Sequence, residues 1–359
     1  MIKKDLESLF KDTRSIFQIK DRSIFINKYF NDLTNHHYDN CKEYKKICDN
    51  LNYKVKNNLS VEDLPFLPVN VFKYLTLKSV DSENIVRIMQ SSGTTGNNLS
   101  KIYLDESNAK NQIKALSQLF FDITQNKDRV PMLVIDSKSI LKDRKNFSAR
   151  SAAVLGFSLF AKNITYALKE NMTLDLDSIR LFLKRNINTP KIVFGFTYLI
   201  WNNLFQKLSL NDRLDFNNSI LIHGGGWKKL KEKNISNQIF KEELKKRFNF
   251  NNIINYYGMV EQTGSIFFES KCGYFHTSKF SEIFIRDKYF NNLGKNKKGM
   301  IQLLSVLPTS YPGHNILTED TGVILGENDC RCGKKGKYFK VFGRLEKAEL
   351  RGCGDAINQ

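Results

Sequence analysis

The chain has 359 residues, 41% of them hydrophobic and 12% aromatic, and 56 Lys and Arg outweigh 37 Asp and Glu to give a net charge of +19. A chain of this length makes one large domain or two ordinary ones and buries roughly three quarters of its unfolded surface, so it needs no disulfide staples. With 6 Pro and 20 Gly it is neither collagen-like nor a long disordered chain, and no window nears the ~18 uninterrupted apolar residues of a membrane-spanning helix.

The N-terminus, MIKKDLESLFKDTRSIF, carries acids early and has no apolar secretory core, so a cytoplasmic location is expected. There the 6 Cys are reduced thiols or metal ligands. The lysines are spread along the chain and no nucleic-acid motif accompanies them. Solvated lysine faces explain the charge better than a specific nucleic-acid partner does. Residues 1–62 predict an N-terminal helical region, with apolar positions at helical spacing through LFKDTRSIFQIKDRSIFINKYF and again from Cys41 to Val55. His36 and His37 sit in a polar Asn/Asp stretch and read as surface, and Cys41 and Cys48 read as core thiols.

Residues 63–264 predict an α/β nucleotide-binding core. LPFLPVNVFKYL reads as an extended entry and a short helix. IVRIMQ is a strand that runs into Ser91-Ser92-Gly93-Thr94-Thr95-Gly96. Gly, Ser and Thr there let backbone N–H groups and hydroxyls cradle phosphate, though no Lys-Ser/Thr follows as in a Walker loop. VPMLVI, KIVFGF, SILIHGGG and NNIINYYG are short buried strands, with amphipathic segments such as NAKNQIKALSQLFFDI and KEELKKRF between them. Such alternation argues a largely parallel sheet. Gly224, Gly225 and Gly226 end one strand and let a flat ligand lie against bare backbone. At the end of another, Tyr257 suits stacking on a base and Glu261 suits Mg²⁺. Phe120, Phe121, Phe194, Phe196, Tyr198 and Trp201 include candidates for an apolar pocket, although aromatics at such spacing more often fill the core.

Residues 265–344 predict a smaller β-rich subdomain (SIFFES, SEIFIRD, GMIQLLSV, TGVIL, YFKVFGR), and residues 345–359 a mobile C-terminal tail. Asp320 in TEDTG suits two ribose hydroxyls, and Arg344 after Gly343 can fork onto ribose or phosphate. Cys272 and His276 (C-x3-H) with Cys330 and Cys332 (C-x-C) form a chemically complete structural Zn²⁺ set. The alternative is four unrelated residues in turns.

The order SSGTTG, GGGW, YYGxxE, TEDTG, GR resembles the adenylate-forming superfamily of acyl-activating enzymes over about Leu64 to Gly352. It is most similar to the LuxE-type acyl-protein synthetases of the bacterial luminescence fatty-acid reductase complex, through LPFLPVNVFKYL, HGGGWK, SYPGHNILTEDTG and Arg351-Gly352-Cys353. The related phenylacetate–CoA ligase branch shows a similar Cys/His set. The resemblance implies an α/β fold made of the large N-terminal domain of adenylate-forming enzymes, without the usual C-terminal domain. It implies ATP- and Mg²⁺-dependent activation of a carboxylic acid, a fatty acid in that family, as acyl-adenylate, followed by transfer to a thiol. By the same resemblance Ser91 to Gly96 cradle the triphosphate, Gly224 to Gly226 line the adenine and Tyr257 stacks on it. Glu261 binds Mg²⁺, Asp320 holds the ribose with Arg344 beside it, and Cys353 accepts the acyl group before passing it to a partner such as an acyl reductase or carrier protein. Asn97-Asn98-Leu99-Ser100 separate the loop from Lys101, a departure from the usual family pattern. Two other readings stay open: a CoA ligase with free CoA as acceptor, and an inactive binding protein with a basic surface.

Overall fold

The computed structural model describes residues 2–12, 15–18, 22–55, 58–91, 99–126, 128–141, 149–209, 211–225, 230 and 235–345. They form two compact units, one of Met1–Leu119 with Gly258–Gln359 and the other of Phe120–Tyr257.

The first unit opens with three helices, α1 (Ile2–Lys11), α2 (Arg22–Asn40) and α3 (Lys42–Asn50). On α2 the buried residues Ile26, Tyr29, Phe30, Leu33 and His37 recur at helical spacing, giving one inward stripe. That stripe corrects the reading of His37 as surface, while His36 is half-buried. His37 is fully buried, its ring stacked on His314 with centroids 4.7 Å apart. Its Nε2 lies 3.0 Å from the Pro308 carbonyl and its Nδ1 2.7 Å from the Ser79 hydroxyl. A carbonyl only accepts, so Nε2 carries the proton and Nδ1 accepts from Ser79. His36 Nε2 reaches the Thr309 carbonyl at 2.8 Å. The polar neighbours in sequence concealed a demand from elsewhere: carbonyls at 308 and 309 take their donors from this helix. Cys41 and Cys48 are buried, in keeping with core thiols.

β1 (Leu67–Pro68) leads into a 3₁₀ turn, and β2 (Ile85–Gln90) pairs antiparallel with β3 (Lys101–Asp105), Gln90 opposite Lys101. α4 (Glu106–Thr124) begins where Asp105 accepts the Asn108 amide at 2.7 Å.

The second unit holds β4 (Val130–Ser137), β5 (Ala161–Leu168), β6 (Lys191–Phe196), β7 (Ser219–Gly224) and β8 (Asn252–Tyr257), with α5 (Ala149–Ser158), α6 (Leu176–Arg185) and a helix over Asn237–Phe248. All five strands are parallel, in the order β5-β4-β6-β7-β8. All eight residues of β4 are buried, which is why its first six, VPMLVI, read as an unbroken apolar run. Trp201, stacked on Phe205 at 4.3 Å, joins Phe216, Phe240 and Phe248 in the core beneath the sheet. Phe194 is fully buried against Phe157, centroids 4.5 Å apart.

The chain then returns to the first unit as β9 (Phe267–Phe268), β10 (Phe275–His276), β11 (Ser281–Arg286), β12 (Gly299–Ser305), β13 (Asn315–Glu327) and β14 (Lys337–Arg344). The last five form an antiparallel sheet ordered β10-β14-β13-β12-β11, with β1 added parallel to β13.

Candidate functional site

In the first unit, the Ser/Thr/Gly loop joins β2 to β3. Ser91 donates its amide to the Ser100 carbonyl at 3.1 Å, and Ser100 donates its amide to the Ser91 hydroxyl at 3.1 Å, closing the loop base. Ser92, Gly93, Thr94, Thr95 and Gly96 lie outside the described residues.

Glu261 sits in a single 3₁₀ turn, Val260–Gln262, and only 6% of it is exposed. Burial holds its carboxyl above the usual carboxylate range, opposed by Ser100 and by the charges of Lys73 and Arg344. Among the described residues no cation lies within ion-pair distance of it. The backbone around it is fixed from two sides. The Tyr311 hydroxyl donates to the Glu261 carbonyl at 2.9 Å, and Gln262 Nε2 donates to the carbonyls of Leu303 and Gly313, each at 2.9 Å. Gly313 is what lets these parts meet. A Cβ there falls 2.2 Å from the Tyr311 ring and 2.7 Å from the Glu261 carbonyl oxygen. A buried carboxylate with no described cation within ion-pair distance fits a divalent cation, whose field favours the ionised form.

Asp320 and Arg344 stand directly opposite each other on β13 and β14. Cross-strand partners have Cβ atoms about 4.5–5.5 Å apart, so two motifs 24 residues apart in sequence share one patch of sheet. Thr318 accepts the Asp320 amide at 3.1 Å, and the Thr321 hydroxyl donates to the Gly343 carbonyl at 3.2 Å.

In the second unit, Gly224 ends β7 and Gly225 follows at φ 65°. A Cβ on Gly224 meets the Tyr256 ring at 2.6 Å, and one on Gly225 meets the Phe196 ring at 3.0 Å. The bare backbone therefore admits two aromatic rings of the chain itself. Gly226 lies outside the described residues, and Tyr257 is the half-buried last residue of β8. The strand order reverses between β4 and β6, and in open parallel sheets ligands sit outside the carboxyl ends at such a point. Asp136 is there, 1% exposed, taking a two-pronged contact from Arg150 at 2.9 Å on each oxygen and the Ser137 amide at 2.7 Å. Burial pushes its carboxyl up, and Arg150 opposes this. Sequence reasoning missed both residues. The one signal was an Asp at the end of the apolar run VPMLVI.

The four predicted metal ligands converge, their donor atoms all within 4.8 Å of one another. The Sγ atoms of Cys330 and Cys272 are 3.6 Å apart, those of Cys332 and Cys330 3.4 Å, and Cys332 Sγ is 3.3 Å from His276 Nε2. Tetrahedral Zn²⁺ with Zn–S about 2.3 Å and Zn–N about 2.05 Å has S···S edges of about 3.8 Å and S···N edges of about 3.5 Å. These three edges match that ion to within a few tenths of an ångström, and every donor pair lies within 4.8 Å. His276 Nδ1 is held by the Ser270 hydroxyl at 3.2 Å, which leaves Nε2 for the metal. Four protein donors would leave no position for substrate, so a metal ion held here would be structural in kind.

Of the other cysteines, burial pushes Cys48 up to about 12 and raises Cys41, so neither is a ready nucleophile. Cys353 lies outside the described residues. No described helix is long and apolar enough to cross a membrane.

The family described as "Acyl-protein synthetase, LuxE" matches residues 4–359 of the chain. A long-chain-fatty-acid–luciferin-component ligase of Aliivibrio fischeri is 24% identical over 355 residues, covering 94% of this chain and 87% of that protein. One of the same name from Photorhabdus luminescens is 36% identical over 66 residues, 18% of this chain and 55% of that protein. Among solved structures, an open conformation of 2-hydroxyisobutyryl-CoA ligase, in complex with 2-HIB-AMP and CoA, matches with a TM-score of 0.67 at 12% identity, over 90% of this chain and 75% of that one. The likeness shows the α/β fold of the adenylate-forming ligases, as the motif order predicted.

Proposed function

We propose, from the premise that this chain belongs to the LuxE family of acyl-protein synthetases, that it activates a fatty acid with ATP and passes the acyl group to the thiol of Cys353. The observation that carries the reading is Glu261: a buried carboxylate, braced by Tyr311 and Gln262, with no cation of the described chain beside it. Such a group is built to meet a cation that arrives with its substrate.

In this reading Glu261, Asp320 and Arg344 handle the charge. Glu261 holds Mg²⁺, which when bound neutralises phosphate charge. Asp320 takes the ribose hydroxyls and Arg344 forks onto ribose or phosphate oxygens. Ser91 to Gly96 offer amides and hydroxyls to the triphosphate. Gly224 to Gly226 and Tyr257 are the groups this reading assigns to the base. A carboxylate oxygen attacks the α-phosphorus, the bond to the bridging oxygen of the β-phosphate breaks, and pyrophosphate leaves. Preorganised donors stabilise the charge that grows on the phosphoryl oxygens. The thiolate of Cys353 then attacks the acyl carbonyl and AMP leaves, giving a thioester and no net redox change. The name of the Aliivibrio relative, a long-chain-fatty-acid ligase, supports the choice of a fatty acid, and an acyl reductase or carrier is the matching recipient.

The test is ATP–pyrophosphate exchange with a panel of carboxylic acids, followed by mass spectrometry of the protein. Exchange that depends on a long-chain acid and a mass increase on Cys353 are expected. Exchange with no acid dependence overturns the reading. AMP release that needs free CoA, with no acylated protein, replaces Cys353 by CoA as the acceptor.

A further inference from the structure

Between α1 and α2 the chain runs as an arm whose Ile16 and Phe17 are buried in the first unit. The segment it lies on starts at His276. The Lys279 amide donates to the Ile16 carbonyl at 2.6 Å and Lys279 Nζ to the Asp12 carbonyl at 3.0 Å. At the start of α2, Arg22 donates to the carbonyls of Ser278 at 3.1 Å and Ser281 at 2.8 Å. The Phe17 ring meets the His276 ring edge to face, centroids 6.1 Å apart, and Lys334 Nζ sits 4.1 Å over the same ring. One wall of the Phe17 site is thus a member of the Cys/His cluster. The other is two residues beyond Cys332.

We propose that Zn²⁺ bound by Cys272, His276, Cys330 and Cys332 fastens this N-terminal arm, making the cluster a metal-dependent clasp. The four donors come from separate places: the turn before β10, β10 itself, and the turn between β13 and β14. β10 is only two residues long, so its pairing with β14 is a weak tie. A metal ion bonded to both turns replaces that tie with four coordinate bonds. It sets the His276 ring at the angle Phe17 packs on and fixes the Cys330–Gly333 turn, from which Lys334 reaches over the ring. Three thiolates and one imidazole on Zn²⁺ carry a net charge of −1, which Lys334 complements. Without the ion, both walls lose their fixed positions and the arm loses its apolar anchor. The inference does not depend on the acyl chemistry proposed above.

The full-length protein, purified without chelator, is assayed for zinc. Hydrogen exchange at the Lys279 amide and tryptic cleavage after Lys11 are then followed before chelation, after it, and after Zn²⁺ is returned. One zinc per chain is expected, with at least tenfold faster exchange and cleavage after chelation and recovery on adding Zn²⁺. Phe17→Ala is expected to keep its zinc yet show the fast exchange and cleavage of the metal-free protein. Protein without zinc overturns the proposal. So does chelation that removes the metal and leaves both rates unchanged, or a Phe17→Ala protein as protected as the wild type.

Discussion

Gly313→Ala isolates the brace behind Glu261. The added methyl lies 2.2 Å from Cε2 of Tyr311 and 2.7 Å from the Glu261 carbonyl oxygen, where ordinary contact is 3.4 Å or more. Tyr311 is fully buried, so its ring has little room to yield. The displacement therefore passes to the Val260–Gln262 turn, at roughly 1 Å, a misplacement that costs on the order of 10² in rate when it reaches reacting groups. Overpacking a tight interior costs about 1–3 kcal/mol of stability, so the variant is expected to fold with a lowered melting temperature. Tyr311→Phe serves as the control. It keeps the shape and removes the hydroxyl from the Glu261 carbonyl, for about 1–3 kcal/mol of stability and a smaller loss of rate. The assay is acid-dependent ATP–pyrophosphate exchange, read beside thermal unfolding. A folded Gly313→Ala protein with exchange within twofold of wild type would refute the idea that Gly313 positions Glu261.

Glu261→Gln removes the charge without changing the shape, and exchange should fall about 10²- to 10³-fold with the fold intact; unchanged exchange takes Glu261 out of the site. Cys353→Ser should keep pyrophosphate exchange and lose the hydroxylamine-sensitive acyl-protein, and continued acylation of the variant would move the acceptor elsewhere. The buried histidines make stability pH-dependent. Burial holds His314 down to about 3 and His37 well below its ordinary value, so the unfolded chain takes up protons first as pH falls below ~6.5. Their contribution is complete above that pH and is lost on acidification. At pH 5 His314 alone should cost about 2 kcal/mol, with His37 adding in the same direction. Urea midpoints measured from pH 7 to pH 5 check this, and a flat series would show that the pair is not buried neutral.

Much of the architecture was legible in the residues themselves, for local reasons. VPMLVI, KIVFGF and SILIHG are apolar on both faces because their strands are covered on both sides, and that state leaves an unbroken run. β5 was missed because it is the edge strand, and its polar Lys162 and Asn163 break the run. The order of the glycine-rich turns also survives in sequence, since each needs particular residues at a strand end. What the sequence alone does not contain is distance across the chain. Asp320 and Arg344 read as two weak motifs until the register of β13 and β14 sets them face to face. The Cys272–His276 and Cys330–Cys332 pairs left two readings open, because the spacing within each pair says nothing of the separation between pairs; sheet pairing brings their donors within 4.8 Å. His37 looked like surface because a helix face is turned inward by what packs on it, here carbonyls some 270 residues later. The braces on Glu261 and the contact between Phe17 and His276 belong to the same class. A propensity acts over a few residues and is written where it acts, whereas a contact between distant segments exists only once the whole chain has chosen its register.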